Sequence, residues 1–356
     1  MYNNDDIFKK AMIPNKIPFN TIFLLFFSFL ISFLAYKNPM LYEIFYEKVN
    51  PQLNWSWFTS IFLHGTGNFY SMIKHLTSNL IIATLIFGYM IENILGTGKA
   101  FFYTVFSILF TLLYSYISGH YGHGASSITY AFIAFGIFIC LEFIKRFRWK
   151  SFTKPFFLFS LVFIGYSIYG NINLYLNNSN IGGRNVHTIS FIVGIVLSLL
   201  WQSDISGYFK SHIKTKFRYT SYELLSILLI FIMSGFLIFS IFSAYQELDD
   251  RKMLKEAVQD IGIPQTKKEL NNNSGQIVVR FEDEMLPIIH SYYKNISIDG
   301  MYTPAFKWKW LDTKTLYMKV YSPLGNDVNK FEVVFDNLQT LNFEPLERKM
   351  KLSYGE

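Results

Sequence analysis

The sequence contains one cysteine, Cys140, among 356 residues. It lies inside an apolar run, so no disulfide framework can form within one chain, and the redox compartment stays undecided. Charge is also scarce: Asp, Glu, Lys and Arg make up 16% of the chain, against 51% hydrophobic residues. Glu92 and Glu142 lie near the ends of apolar runs, which weighs against a proton-coupled pathway through them. His120 and His123 have no carboxylate or cysteine nearby in sequence, too few ligands for a zinc site. No metal and no cofactor is expected. A small-residue cleavage site is missing after the first apolar run, so that run reads as an uncleaved span rather than a signal peptide.

What the chain does have is length of apolar sequence. Seven runs, about 18–36, 72–92, 100–117, 126–144, 155–171, 186–202 and 223–245, approach or reach the roughly 17–25 residues a bilayer span needs. Aromatic residues reach 19%, and a segment too polar to span, Lys37 to Ser71, carries Trp55, Trp57, Phe58, Phe62, Phe69 and Tyr70. Such residues sit well at headgroup level, so short interfacial helices are expected there, with His64 an interfacial or surface histidine. The net charge of +7 is uneven. Its excess lies in short loops and reads as topology rather than nucleic-acid binding. Lys9, Lys10 and Lys16 put the N-terminus in the cytoplasm. The Lys145–Lys154 and Lys210–Arg218 clusters fall after four and six spans and agree with that orientation.

The resulting fold class is an all-α polytopic membrane protein followed by a small soluble α+β domain. Its expected divisions are 1–205 with six spans, 206–245 with a basic loop and a seventh span, and 246–356 as the soluble, extracytoplasmic domain. In the tail, Glu247 to Ile261 reads as a helix ended by Gly262 and Pro264. Strands are expected at 276–281, 305–311, 315–321 and 331–335, the middle two joined as a hairpin by Asp312-Thr313-Lys314. His290 is a lone histidine and reads as structural.

Polar residues gather at one end of three spans. Gly122-His123-Gly124-Ala125-Ser126-Ser127 leads into the fourth, where Ser126 is either an N-cap or a nucleophile at a helix start. His75 and Asn79, four apart on the second span, share a helix face and serve either a helix–helix hydrogen bond or a reaction centre. Ser127, Ala131 and Ala134 form a small-residue stripe. Ser190 and Gly194 form another on the sixth span, with His187 at its top, so both helices can approach a neighbour closely.

These pieces resemble the rhomboid family of intramembrane serine proteases over roughly Trp55 to Trp201, plus the first span. In that family a Gly-x-Ser-Gly motif opens the fourth helix, a histidine near the start of the sixth completes a Ser–His dyad, and a His-x-x-x-Asn motif lies on the second. Gly124-Ala125-Ser126-Ser127 matches the first except for its last glycine. His187 matches the second, and His75 with Asn79 the third. Tyr130 matches the family tyrosine that packs on the histidine ring, and Trp55 the family tryptophan, although Ser56 stands where an arginine usually follows. The resemblance implies a six-helix core with the seventh helix appended. It implies catalysis by Ser126 and His187, with Asn79 and His75 supporting the oxyanion, and substrates that are single-span membrane proteins. The alternatives are an inactive rhomboid-like protein that binds membrane clients, and a transporter or channel.

Overall fold

The computed structural model describes residues 17–46, 55–64, 69–118, 124–176, 181–210, 220–258, 276–285, 296–298, 306–320, 331–336 and 349–354. His120, His123, Gly122 and His290 lie outside the described residues. By contact the chain divides into two compact units. One comprises 1–31, 58–65 and 73–238, the other 32–57, 66–72 and 239–356.

In the first unit, α1 (Phe19–Lys37) leads off. α3 (Trp55–Thr59) and α4 (Phe69–Leu76) precede two π-helical turns, Thr77–Ile81 and Thr84–Gly88, which run into α5 (Tyr89–Ser118). Then follow α6 (Ser126–Phe147), a 3-10 turn (Arg148–Thr153), α7 (Pro155–Leu176), α8 (Ile181–Leu200), α9 (Gln202–Lys210) and α10 (Ser221–Val258), whose residues from Phe239 on belong to the second unit. Among the described residues, five helices are long and apolar enough to cross a membrane, or six if the pair Asn185–Leu200 and Gln202–Phe209, bent by 61°, counts as one span. Seven are not confirmed. The difference arises in 69–118, where the apolar stretch Thr84–Tyr114 reads as one. Inside it Gly96 leaves the helical region (φ 83, ψ 161), and a Cβ there would come within 2.7 Å of Glu223 Oε1, so the break depends on glycine.

Internal polar residues close helix ends and crossings. Glu92 is buried and accepts hydrogen bonds from the Asn20 and Thr21 amides and the Thr21 hydroxyl, supplying acceptors to the otherwise unpaired first turn of α1. The two small-residue stripes meet each other. A Cβ on Gly194 of α8 would lie 2.6 Å from the Ala131 carbonyl oxygen and 2.8 Å from Ala134 Cβ of α6. Tyr103 of α5, fully buried, locks this crossing. Its hydroxyl is shared between the carbonyls of Gly194 (2.7 Å) and Ala131 (2.9 Å), with Ser198 Oγ at 3.1 Å.

In the second unit, α2 (Pro39–Tyr46) is buried along nearly its whole length. Among the described residues six strands form two antiparallel sheets: β1 (Gln276–Arg280), β4 (Thr315–Val320) and β3 (Phe306–Asp312) in one, and β2 (Ile296–Ile298), β5 (Phe331–Asp336) and β6 (Lys349–Tyr354) in the other. The expected hairpin is present, with Trp310 opposite Leu316. β2 and β6 were not anticipated. Side chains alternate across a strand, and both faces of the first sheet are covered. Leu254 of α10 packs on Val278, Leu311 and Tyr317, while Ile277, Val279, Trp310 and Met318 are buried as well. The Phe281 ring contacts both Trp310 and Phe335, joining the sheets.

One expectation for the tail needs correction. The helix expected from Glu247 is no separate element: α10 continues unbroken from the apolar run to Val258, with no glycine or proline between Phe236 and Ile261 to end it. Its last turns carry Arg251, fully buried and paired with Glu43 of α2 and Glu247, and donating to the Trp310 carbonyl at 2.9 Å.

Candidate active site

Ser126 is the first residue of α6 and is buried. The N-cap position belongs to Ala125, which makes no side-chain cap bond, so the N-cap reading of Ser126 does not hold. Its hydroxyl is therefore not consumed in starting the helix. The turn before it is fixed by two backbone bonds. The Gly124 amide donates to the Ser60 carbonyl at 2.8 Å, and the Ala125 amide donates to His64 Nε2 at 3.0 Å. Gly124 has φ 91, and a Cβ there would stand 3.3 Å from the Leu63 carbonyl oxygen, so both conformation and space call for glycine.

His64 is neither interfacial nor on the surface. It is fully buried behind the serine turn, between the Phe62 carbonyl and the Ala125 amide. Because Nε2 accepts from Ala125, Nδ1 carries the proton and donates to Phe62 O at 3.1 Å. Burial pushes the imidazole down to about 3, with His75 adding to the shift and the Phe62 bond opposing it. The ring is neutral and structural. Sequence reasoning missed it because its partner lies 61 residues away.

His75 is partly exposed at the end of α4, its ring 5.6 Å from that of His64. Asn79 lies in the first π turn, and its side chain falls outside the described residues. The backbone expected to carry both residues on one face is therefore not plain α-helix: the ladder widens after Leu76. Trp55 opens α3, its side chain outside the described residues, and Ser56 beside it is buried.

His187 lies in the second turn of α8 and stacks on Tyr130 of α6 with ring centroids 4.1 Å apart and planes 13° from parallel. Tyr130 is one turn along α6 from Ser126, so the stack brings His187 to the serine's side of that helix. The Tyr130 hydroxyl points elsewhere, donating to the Ser167 carbonyl at 3.0 Å. Among the described residues no hydrogen bond runs between Ser126 Oγ and His187. Ser127 is buried one position further along.

The polar stretch 171–185 is largely helical among the described residues: α7 extends to Leu176 and α8 begins at Ile181. Its polar residues are used between the two helices. Asn171 Oδ1 lies 3.1 Å from His187 Nδ1, Asn171 Nδ2 donates to Thr188 Oγ1 at 3.3 Å, and the Tyr175 hydroxyl contacts Thr188 Oγ1 at 2.9 Å and Asn185 Oδ1 at 3.2 Å. No cluster of three or more metal-ligating side chains occurs among the described residues.

Chemically, the arrangement offers a buried hydroxyl at a helix start and a histidine held by a stacked tyrosine. Helix-start amides favour developing negative charge. Comparison with known families gives one finding: residues 51–203 match the family model described as the Rhomboid domain. No curated protein and no solved structure matches the chain.

Proposed function

The chain is a rhomboid-family, multi-pass membrane protein, and from that premise we propose that it is an intramembrane serine endopeptidase working through Ser126 and His187. The observation that carries this reading is the Tyr130–His187 stack, which holds the imidazole beside the helix start that bears Ser126. A serine hydroxyl becomes a useful nucleophile when a base takes its proton, and a neutral histidine can do so without a buried carboxylate. Attack on a peptide carbonyl builds negative charge near the start of α6. The Ser126 amide, Asn79 and His75 are the donors proposed to meet it.

Substrates in this reading are transmembrane segments of single-span proteins. An intact helix hides its carbonyls in internal hydrogen bonds, so cleavage requires locally unwound sequence with glycine, proline or small polar residues. A second reading, a family member that binds membrane clients without cutting them, is favoured by the absence of a Ser126–His187 hydrogen bond. Catalytic bonds are often long in unliganded enzymes and tighten with substrate, so that distance alone does not decide against protease activity.

The proposed membrane topology has seven spans, a cytoplasmic N-terminus, and the divisions 1–205, 206–245 and 246–356. The Arg251–Glu43 pair supports an odd total. Glu43 follows the first span and Arg251 the last, so their pairing calls for an even number of crossings between them. Five or seven spans satisfy this; six does not.

The deciding experiment is fluorophosphonate labelling and cleavage of a transmembrane reporter by the full chain in membranes. Ser126→Ala and His187→Ala are each expected to abolish both, with protein level unchanged. Asn79→Ala is expected to slow cleavage by roughly tenfold to a thousandfold, the range for one lost oxyanion donor. Cleavage by Ser126→Ala at the wild-type rate rejects the assignment. A wild-type chain that is neither labelled nor cuts any reporter supports the client-binding reading.

A further inference from the structure

We propose that Asn171 is a positioning residue that selects the tautomer and ring orientation of His187, an inference that rests on the protease reading. A stacked ring is fixed in plane but not in sense: turned over about its own bond, the imidazole keeps the same contact with Tyr130 while exchanging nitrogen and carbon edges. Only an in-plane hydrogen bond tells the two poses apart. Asn171 supplies one, its Oδ1 lying 3.1 Å from His187 Nδ1. An amide oxygen accepts and cannot donate, so Nδ1 holds the proton and the lone pair is left on Nε2. That is the state a general base needs before it takes a proton from serine.

The amide is itself oriented. Asn171 Nδ2 donates to Thr188 Oγ1, the Thr188 hydroxyl can donate to the Tyr175 oxygen, and the Tyr175 hydroxyl donates to Asn185 Oδ1. With the amide nitrogen given to Thr188, the amide oxygen is turned toward His187. The arrangement parallels the orienting third group of hydrolytic triads, supplied here by a neutral amide from α7. A neutral group suits this depth, where a buried carboxylate is costly. The other titratable groups facing His187 are Tyr130 from α6, whose hydroxyl is turned to Ser167, and His75 from α4, an electrostatic neighbour.

The test uses full-length protein and the rate of fluorophosphonate labelling of Ser126 as a function of pH, with melting temperature measured in parallel. Asn171→Leu removes the acceptor and is expected to slow labelling by roughly tenfold to a hundredfold, as loss of the correct tautomer slows triads by even more. Asn171→Asp keeps the acceptor and loses the donor to Thr188. It is expected to label within a few-fold of wild type, with the midpoint of the acid limb moved to higher pH, because a carboxylate favours the protonated ring. Thr188→Val removes the acceptor that orients the Asn171 amide but leaves Asn171 Oδ1 able to accept from His187, and is expected to slow labelling less than Asn171→Leu does, with the midpoint unmoved.

If Asn171 merely ties the two helices, Asn171→Asp and Thr188→Val will lose labelling and melting temperature together, with no shift in midpoint, and the proposal fails. It fails equally if Asn171→Leu labels like wild type. Should Asn171→Leu not fold, the midpoint shift of Asn171→Asp decides alone. A wild-type chain that does not label rejects the protease reading itself, and this inference with it.

Discussion

Replacing Gly194 by alanine tests whether the α6–α8 crossing governs the chemistry above it. The new Cβ would lie 2.6 Å from Ala131 O, 2.7 Å from Ala131 Cα and 2.8 Å from Ala134 Cβ. Carbon contacts settle at roughly 3.5–4.0 Å, so α8 would have to withdraw by about 1 Å. Two of the three obstacles are backbone atoms of α6, which cannot swing aside as a side chain can. Overpacking of this kind costs about 1–3 kcal/mol, partly offset by about 1 kcal/mol of improved helix propensity. The withdrawal also strains the Tyr103 hydroxyl, which contacts the Gly194 and Ala131 carbonyls together. His187 stands two turns from Gly194 on the same helix, so a displacement of this size reaches the ring. A misplacement of about 1 Å at a reacting group can cost on the order of a hundredfold in rate. The expected outcome is a modest fall in melting temperature with a ten- to hundredfold loss of fluorophosphonate labelling. Gly165→Ala is the control: nothing lies within 4 Å of a Cβ there, and both readouts should stay at wild type. Wild-type labelling by Gly194→Ala would refute the coupling between this crossing and the site.

Three further expectations follow from the same structure. His64 is held near 3 in the folded chain against an ordinary value of 6.5, so the unfolded state takes up the proton first; stability is complete above pH 6.5 and is lost as pH falls toward 3. His64→Gln should flatten that part of a melting-temperature profile, and an unchanged slope would show that another group titrates. Arg251→Ala leaves the buried Glu43 carboxylate without its partner and is expected to destabilise the second unit by about 3–5 kcal/mol, read as accelerated proteolysis of the sheets; a chain as resistant as wild type would contradict the buried pair. A cysteine at position 178, with Cys140→Ser as background, should react with an impermeant thiol reagent from outside intact cells, and protection there would reverse the proposed orientation.

Much of the site could be read from sequence because its signals are local or periodic. A serine after Gly124, the stripe Ser127, Ala131 and Ala134, and His187 above Ser190 and Gly194 each need only helix geometry to interpret. The family motifs then relate those stretches to one another. What stayed hidden was set by partners far along the chain. His64 looked like an interfacial histidine because nothing near it shows that its acceptor nitrogen meets the Ala125 amide. Asn171 drew no notice because its partners His187 and Thr188 stand on the next helix, 16 and 17 positions on. Tyr103 was one aromatic among many until three polar atoms converged on its hydroxyl. The π turns after Leu76 left no mark in the composition, so the spacing of His75 and Asn79 was read as a simple α-helical face. In the tail, β2 and β6 were missed: the first is only three residues long, and the second alternates lysine with apolar residues at the end of the chain.

The Glu43–Arg251 pair also imposes an order of events during synthesis. The two residues stand 208 positions apart, and every membrane helix after α1 is made between them. Glu43 therefore emerges early and waits with its charge solvated, while α2 cannot complete its burial. Only when the last helix has been threaded does Arg251 arrive, and with it the Trp310 strand whose carbonyl shares the same guanidinium. The second unit is thus a closure made after insertion rather than a module that folds ahead of it. A ribosome that stops before residue 251 releases a chain that lacks the guanidinium to which Glu43 is bound in the finished structure.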